Sequence, residues 1–258
     1  MNSSTLHQIR SWFLYYVERF LGENGNPDSP IPMKLIHSRK VSEICRSLSE
    51  ELGWDSEDRL TAAALGLLHD VGRFSQFAEF GTFVDADSVD HGERGCAAVK
   101  ESGVLSPCSE TTRSQILDGI LLHNRRTIPS AVHPDSLPFV KLVRDADKLD
   151  IYRIIRERIG KNNLGDHLKE ALWIQAEGPA NPLALDEIRN RQTVSSENIR
   201  SVVDFTLMQM SWVFDINYPP ARRRIREDGV LNLLASTLPD DDDKEIQEIA
   251  EFILKQVE

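Results

Sequence analysis

Apolar residues recur at helical spacing along most of the chain, and no stretch alternates like a strand. Leu6, Ile9, Phe13, Tyr16 and Phe20 share one helical stripe that ends near Gly22. Gly22 to Pro32 carries three prolines and two glycines and predicts a loop. A helix follows over about Met33 to Leu52, with Gly53 as its stop. Asp55 or Ser56 caps the next one. There, Ala62 through Leu68 are apolar or small on every side, which predicts a helix at the centre of a core. Phe74 to Val89 is less regular, rich in aromatics and acids, and reads as a covering loop or short helix. Asp90 caps a helix from His91 to Glu101, and Ser109 caps one that reaches His123. Arg125 to Pro138 is a proline-rich loop, and a long helix runs from about Phe139 to Ile159. Gly160 to Asn181 is mixed, with a helical piece around Leu168 to Ile174. Asn198 to Trp212, Arg222 to Leu234 and Asp243 to Val257 predict further helices. No internal repeat or low-complexity linker interrupts the pattern. The expectation is one all-α domain over 1–258, with a core at about 33–160, an N-terminal helix at 4–22 and C-terminal helices within 180–258.

Several polar residues break these stripes. His37 falls in the series His37, Val41, Ile44, Leu48, and His123 continues Ile116, Ile120. Asp147 lies among Val140, Val143, Ile151 and Ile154. A lone carboxylate in such a stripe is costly to bury unless it is paired, neutralised or bound to metal. Taken with the adjacent His69-Asp70 and with His91, the misfits are all of types that bind borderline-to-hard cations. They predict helices converging on one buried metal site.

Composition narrows the setting. The 258 residues suffice for one large domain or two small ones, and 40% apolar content can fill a core. A net charge of -11 argues against general nucleic-acid binding, which needs a basic surface. An anionic small molecule is still admissible, because local arginines can dominate a cleft. Cys45, Cys96 and Cys108 form no CxxC pair and suit a reducing compartment. The apolar run Trp12 to Val17 is too short to span a membrane, so the expected location is the cytoplasm.

The six ligands suggest a division of labour. One aspartate has two oxygens, so Asp70 can bridge two cations about 3.5–4 Å apart. His37, His69 and Asp147 would complete one metal, and His91 and His123 the other. The two would share a water, lower its pKa and present a hydroxide nucleophile. Arg73, three residues beyond Asp70, could bind a phosphoryl oxygen bidentately and stabilise charge on it. The alternative partners for Arg73 are Glu79 and Asp85. Arg125 and Arg126 follow His123 and should lie at the rim of the cleft, as substrate contacts or as solvated loop residues. Asp145 and Asp150 flank Asp147, and either could orient a ligand or form a salt bridge to Arg144 or Lys148. His7, His133 and His167 read as surface residues. Arg222, Arg223 and Arg224 read as an ion-pair network, and Asp240 to Asp243 as acidic residues at a helix start.

The order His37, His69-Asp70, Asp147 resembles the HD-domain superfamily of metal-dependent phosphohydrolases. The segments His69-Asp-Val-Gly-Arg-Phe74 and Arg144-Asp-Ala-Asp-Lys-Leu149 look like that family's two aspartate motifs. His91 and His123 match, in order, the extra histidines of its binuclear members. The resemblance covers about 37–150. It implies an HD-like helical bundle with the metal site at its centre. It also implies one or two divalent ions (Mn, Fe, Co or Ni, with Mg admissible at a second site) and hydrolysis of a small phosphorylated metabolite such as a nucleotide. Cyclic-dinucleotide phosphodiesterases of the HD-GYP type pair two histidines where this chain has His123-Asn124, and their Gly-Tyr-Pro element is absent. Two alternatives remain: an HD-type diiron oxygenase, which shares the six-ligand order, and a silent nucleotide-binding sensor. Arg73 favours the hydrolase, and oligomeric state is not legible.

Overall fold

The structure, a computed structural model, describes residues 1–21, 30–159, 178–239 and 244–257. The piece expected at Leu168 to Ile174, His167 and the acidic run Asp240 to Asp243 fall outside the described residues. The fold is all-α, with no strand among the described residues. The chain separates into two compact units, Met1–Asp150 and Ile151–Glu258.

The first unit opens with α1 (Ser3–Glu18), capped by Asn2, which buries Leu6, Ile9, Phe13, Tyr16 and Val17. Helix α2 (Ile31–Glu51) packs along α3 (Ser56–Leu68), whose N-cap is Asp55. As its composition requires, α3 is buried without interruption from Thr61 to Leu68 and contacts α1, α2 and α6 (Glu110–Leu122). Gly66 permits the close α2–α3 approach. A Cβ there would meet the Val41 carbonyl at 2.8 Å and Cys45 Sγ at 2.9 Å.

Beyond His69-Asp70, the segment expected to be a covering loop or a short helix opens with a helix, α4 (Val71–Phe80). Gly81, at φ 69°, ends it in the left-handed conformation. Only the following stretch is irregular, and it contains a 3-10 turn at Asp85–Asp87. Gly72 in α4 lies against α5 (His91–Ser102), and a Cβ there would collide with the His91 carbonyl and the Gly95 amide. Asp90 and Ser109 cap α5 and α6 as expected. Helix α7 (Leu137–Ile159) crosses the boundary between the units.

The second unit contains α8 (Pro182–Arg189), α9 (Val202–Ser211), α10 (Pro219–Asp228), α11 (Val230–Ala235) and α12 (Lys244–Leu254). The helix expected from Asn198 starts only at Val202, where Ser201 and Asp204 form a capping box. The single helix expected from Arg222 to Leu234 is two helices, because Gly229 adopts φ 63° between them. Tyr152 donates its hydroxyl to the Gln209 carbonyl at 2.8 Å, and burial pushes its pKa up. Arg222 donates to the carbonyl of Ile216 at 2.8 Å.

Candidate metal centre

The six expected ligands meet in the first unit. His37 comes from α2, His69 and Asp70 from the α3–α4 junction, His91 from the first turn of α5, His123 from the end of α6, and Asp147 from α7. His37, His69, Asp70, His91 and His123 are buried. The side chain of Asp147 is 20% exposed. Three overlapping subsets place ligand atoms close enough for a metal: His37, His69 and Asp70; His69, His123 and Asp147; and Asp70, His91 and His123.

Each imidazole has its Nδ1 engaged away from the centre. His69 donates Nδ1–H to the Gly66 carbonyl at 2.8 Å, and His123 to the Ile120 carbonyl at 2.8 Å. A carbonyl only accepts, so Nδ1 of these rings carries a proton and Nε2 is the atom left to face the centre. His37 Nδ1 meets Asp150 Oδ2 at 2.7 Å, and His91 Nδ1 meets Asp85 Oδ2 at 2.6 Å. All four Nε2 atoms therefore face inward. His37 Nε2 lies 3.3 Å from His69 Nε2, and His91 Nε2 lies 3.0 Å from His123 Nε2.

Asp70 sits between the two pairs. Its Oδ2 is 3.7 Å from Nε2 of both His37 and His69. Its Oδ1 is 3.4 Å from His91 Nε2 and 3.5 Å from His123 Nε2. Asp147 Oδ1 adds a contact of 3.0 Å to His37 Nε2 and one of 3.7 Å to His69 Nε2. Such a buried set of acceptors is stable only with positive charge among them, from protons or metal ions.

The electrostatics agree. Burial alone would lower the His37 pKa, but the hydrogen bonds of Asp147 and Asp150 outweigh it and hold the value at about 9. Burial also tends to raise Asp70, yet Lys34 and the neighbouring imidazoles keep it well below the usual carboxylate range. Asp147 is depressed in the same way, its burial outweighed by His37 and His69. His123 goes the other way. Burial pushes it down to about 4 against the hydrogen bond of Asp70.

Two groups in this shell were weakly marked in the sequence. Asp150 was one of two candidates for orienting a ligand, and it is the one that holds His37. Asp85 holds His91, receives Arg73 Nη1 at 2.8 Å and Gln76 Nε2 at 2.9 Å, and lies 3.3 Å from Asn124 Nδ2. Lys34 interrupts no apolar stripe and carries no such mark, yet it donates to Asp70 Oδ2 at 2.7 Å. Its one sequence signal is its position three residues before His37, on the same helix face.

The arginines differ from expectation. Arg73 does not present an open fork, because Nη1 is shared among Asp85, Gln76 and the Phe83 carbonyl. Of its two alternative partners it takes Asp85, while Glu79 pairs with Arg94 at 2.5 Å. Arg73 Nε is buried, lies 3.5 Å from Asp70 Oδ1 and has no hydrogen-bond partner among the described residues. Arg125 pairs with Asp90 at 3.2 Å and Glu93 at 2.9 Å, on and beside the first turn of α5. Arg126 is exposed. Arg144 is buried and donates to the carbonyls of Leu122, His123, Arg125 and Arg126, fixing the end of α6 that carries His123. His7 and His133 are exposed, and the three cysteines are buried and unpaired. No helix among the described residues is long and apolar enough to cross a membrane.

Comparison with protein families matches residues 35–152 to the HD domain. No curated protein and no solved structure matched the chain. The matched segment contains all six clustered residues together with Asp85 and Asp150, and an HD domain suggests the metal-dependent phosphohydrolase superfamily. This part of the chain, 35–152, belongs to the HD domain family.

Proposed function

We propose that the centre holds two divalent ions and hydrolyses a phosphate ester or anhydride of a small metabolite. The observation that carries the reading is the division of Asp70, whose Oδ2 faces His37 and His69 while Oδ1 faces His91 and His123. His37, His69, Asp147 and Asp70 would hold one ion; His91, His123 and Asp70 would hold the other. The donor set fits, because inward Nε2 lone pairs and carboxylate oxygens suit Mn, Fe, Co or Ni, while Mg alone is disfavoured by so much imidazole. Divalent ions there would lower the pKa of a coordinated water and polarise a phosphoryl oxygen.

The chain's own groups do the rest. Asp150, Asp85 and the two helix carbonyls fix each ring's tautomer and angle. The unpartnered Nε–H of Arg73 is the donor we assign to a phosphoryl oxygen, in place of the bidentate fork. A nucleotide as substrate rests on the family resemblance alone.

One observation favours a second reading. With Nη1 of Arg73 tied to Asp85, the cation that distinguishes a hydrolase from an HD-type diiron oxygenase is partly spent. One experiment separates them: metal analysis of the purified protein, then a screen of phosphate mono- and diesters with Mn²⁺, Mg²⁺, Co²⁺ and Ni²⁺, with and without O₂. Phosphate release that is the same without O₂ supports the hydrolase. A reaction that requires O₂ overturns it in favour of the oxygenase. Tight nucleotide binding without product would support a sensor.

A further inference from the structure

Lys34 lies one residue before the matched HD segment, on the first turn of α2. Its ammonium donates to Asp70 Oδ2 at 2.7 Å, the oxygen that faces His37 and His69. The chain thus supplies its own cation at the carboxylate oxygen that the first ion of the proposed centre would take. The ammonium also sits 5.5 Å from the centre of the Phe83 ring, and the side chain is 19% exposed. One side of the group faces the buried carboxylate, and the side chain keeps access to solvent.

An ammonium and a divalent ion on one oxygen repel each other strongly in a site poorly screened by water. Lysine has a flexible four-carbon stem, so the charge can move while the backbone stays in α2. Asp70 would then be neutralised by metal, and the displaced ammonium would be left beside the centre without its counter-ion. An anion arriving there is the partner that best compensates it, and an oxygen-rich phosphoryl group matches a point charge with three donors.

Resting on the reading that this is a phosphohydrolase centre, we propose that Lys34 is an exchangeable counter-ion. It neutralises Asp70 while the centre holds no metal, and it binds a phosphoryl oxygen of the substrate once metal has displaced it. Lys34 would therefore oppose metal binding and favour anion binding. A lysine that only stiffened α2 would do neither.

The test uses the full chain, Mn²⁺ alone and inorganic phosphate as probes, and the variants Lys34→Gln and Lys34→Arg. Metal-free Lys34→Gln should melt about 2–4 °C below the metal-free parent, because Asp70 loses its cation. The two Mn²⁺-loaded proteins should melt together. Mn²⁺ should bind Lys34→Gln more tightly, on the order of tenfold, in the range by which outer contacts tune metal sites. Inorganic phosphate should bind the Mn²⁺-loaded variant more weakly, also on the order of tenfold. Lys34→Arg keeps the charge and should restore phosphate binding. Unchanged or weaker Mn²⁺ affinity in Lys34→Gln overturns the proposal, as does tighter Mn²⁺ binding with phosphate binding intact. If the parent protein binds no Mn²⁺, the metal-centre reading fails and takes this proposal with it, an outcome distinct from the other two.

Discussion

The two halves of the centre share a plan and differ in how it is carried out. In each half, one imidazole is backed by a helix carbonyl three residues earlier: His69 by Gly66, His123 by Ile120. The other is backed by a carboxylate: His37 by Asp150, His91 by Asp85. Asp150 is fully buried on α7, one helical turn past Asp147. Asp85 is 31% exposed, stands on a 3-10 turn, and divides its oxygens among His91, Arg73, Gln76 and Asn124. The first half also has Asp147, whereas among the described residues Asp70 supplies the carboxylate oxygen, Oδ1, that faces both imidazoles of the second. More negative charge on a stiffer support should give the first half the tighter ion, with occupancy of the second depending on Asp85.

The largest test of that plan removes what both halves share. Asp70→Ala should abolish binding of both ions and all phosphohydrolase turnover while leaving helical content largely intact; metal analysis and circular dichroism check it. Full metal content in the variant would refute the bridging assignment. Next comes the loss of one half. His123→Ala should lower the saturating stoichiometry by about one ion, read by titration with Mn²⁺, and leave the tighter phase in place. His37→Ala should instead remove the tighter phase. Identical losses from both variants would erase the distinction between the halves.

Much of this centre was legible because of misfit. His37, His123 and Asp147 interrupt apolar stripes, and the interruption is visible in one dimension. The backing groups were less visible, since they obey ordinary rules. Lys34 looks like any lysine near a helix start, and its contact with Asp70 spans 36 positions. Asp85 sits in an acidic loop with no periodicity, so the sequence marks it only as a possible partner for Arg73 and not as the group that holds His91. Helix α4 is only half legible, because Phe74, Phe77 and Phe80 are three apart within a stretch rich in aromatics and acids that suits a loop or a short helix alike. The break at Gly229 was hidden because Ile225, Val230 and Leu234 continue an apolar pattern across it. The glycine is the one local signal, and its left-handed φ of 63° confirms the break. The short helix α8 buries Ala184, Leu185 and Ile188, a stripe of only two turns, and carries Leu183 outward at 54% exposure.

The backing carboxylates give a third, smaller contrast. Asp150→Asn should weaken the first ion and Asp85→Asn the second, each by roughly 10–100-fold, the usual cost of losing a group that orients a ligand imidazole. The two titration phases should move separately. Because Asp85 also holds Arg73, Asp85→Asn should additionally change turnover at saturating metal, whereas Asp150→Asn should not once its ion is restored. A turnover loss of equal size in both, at full occupancy, would show that Arg73 takes no part through Asp85.

The smallest contrast is one proton. His37 is held at about 9 against an ordinary 6.5, so in the metal-free protein it carries a proton that an ion must displace. Affinity of the first half should therefore rise with pH, by at most about tenfold per unit, and level off near pH 9. His123, pushed down to about 4, is already neutral over that range and contributes no such slope to the second half. The same two rings act oppositely on the stability of the metal-free protein. The contribution of His37 is fully present below pH 6.5 and is lost as pH rises through about 9. That of His123 is present above 6.5 and is lost as pH falls through about 4, since the unfolded chain then binds the proton that the buried ring refuses. Asp150→Asn removes one of the hydrogen bonds that raise His37, so it should flatten the pH dependence of the first phase. Mn²⁺ titrations from pH 6 to 9 on the parent and the variant read this directly. A slope that persists unchanged in Asp150→Asn would place the displaced proton on a group other than His37.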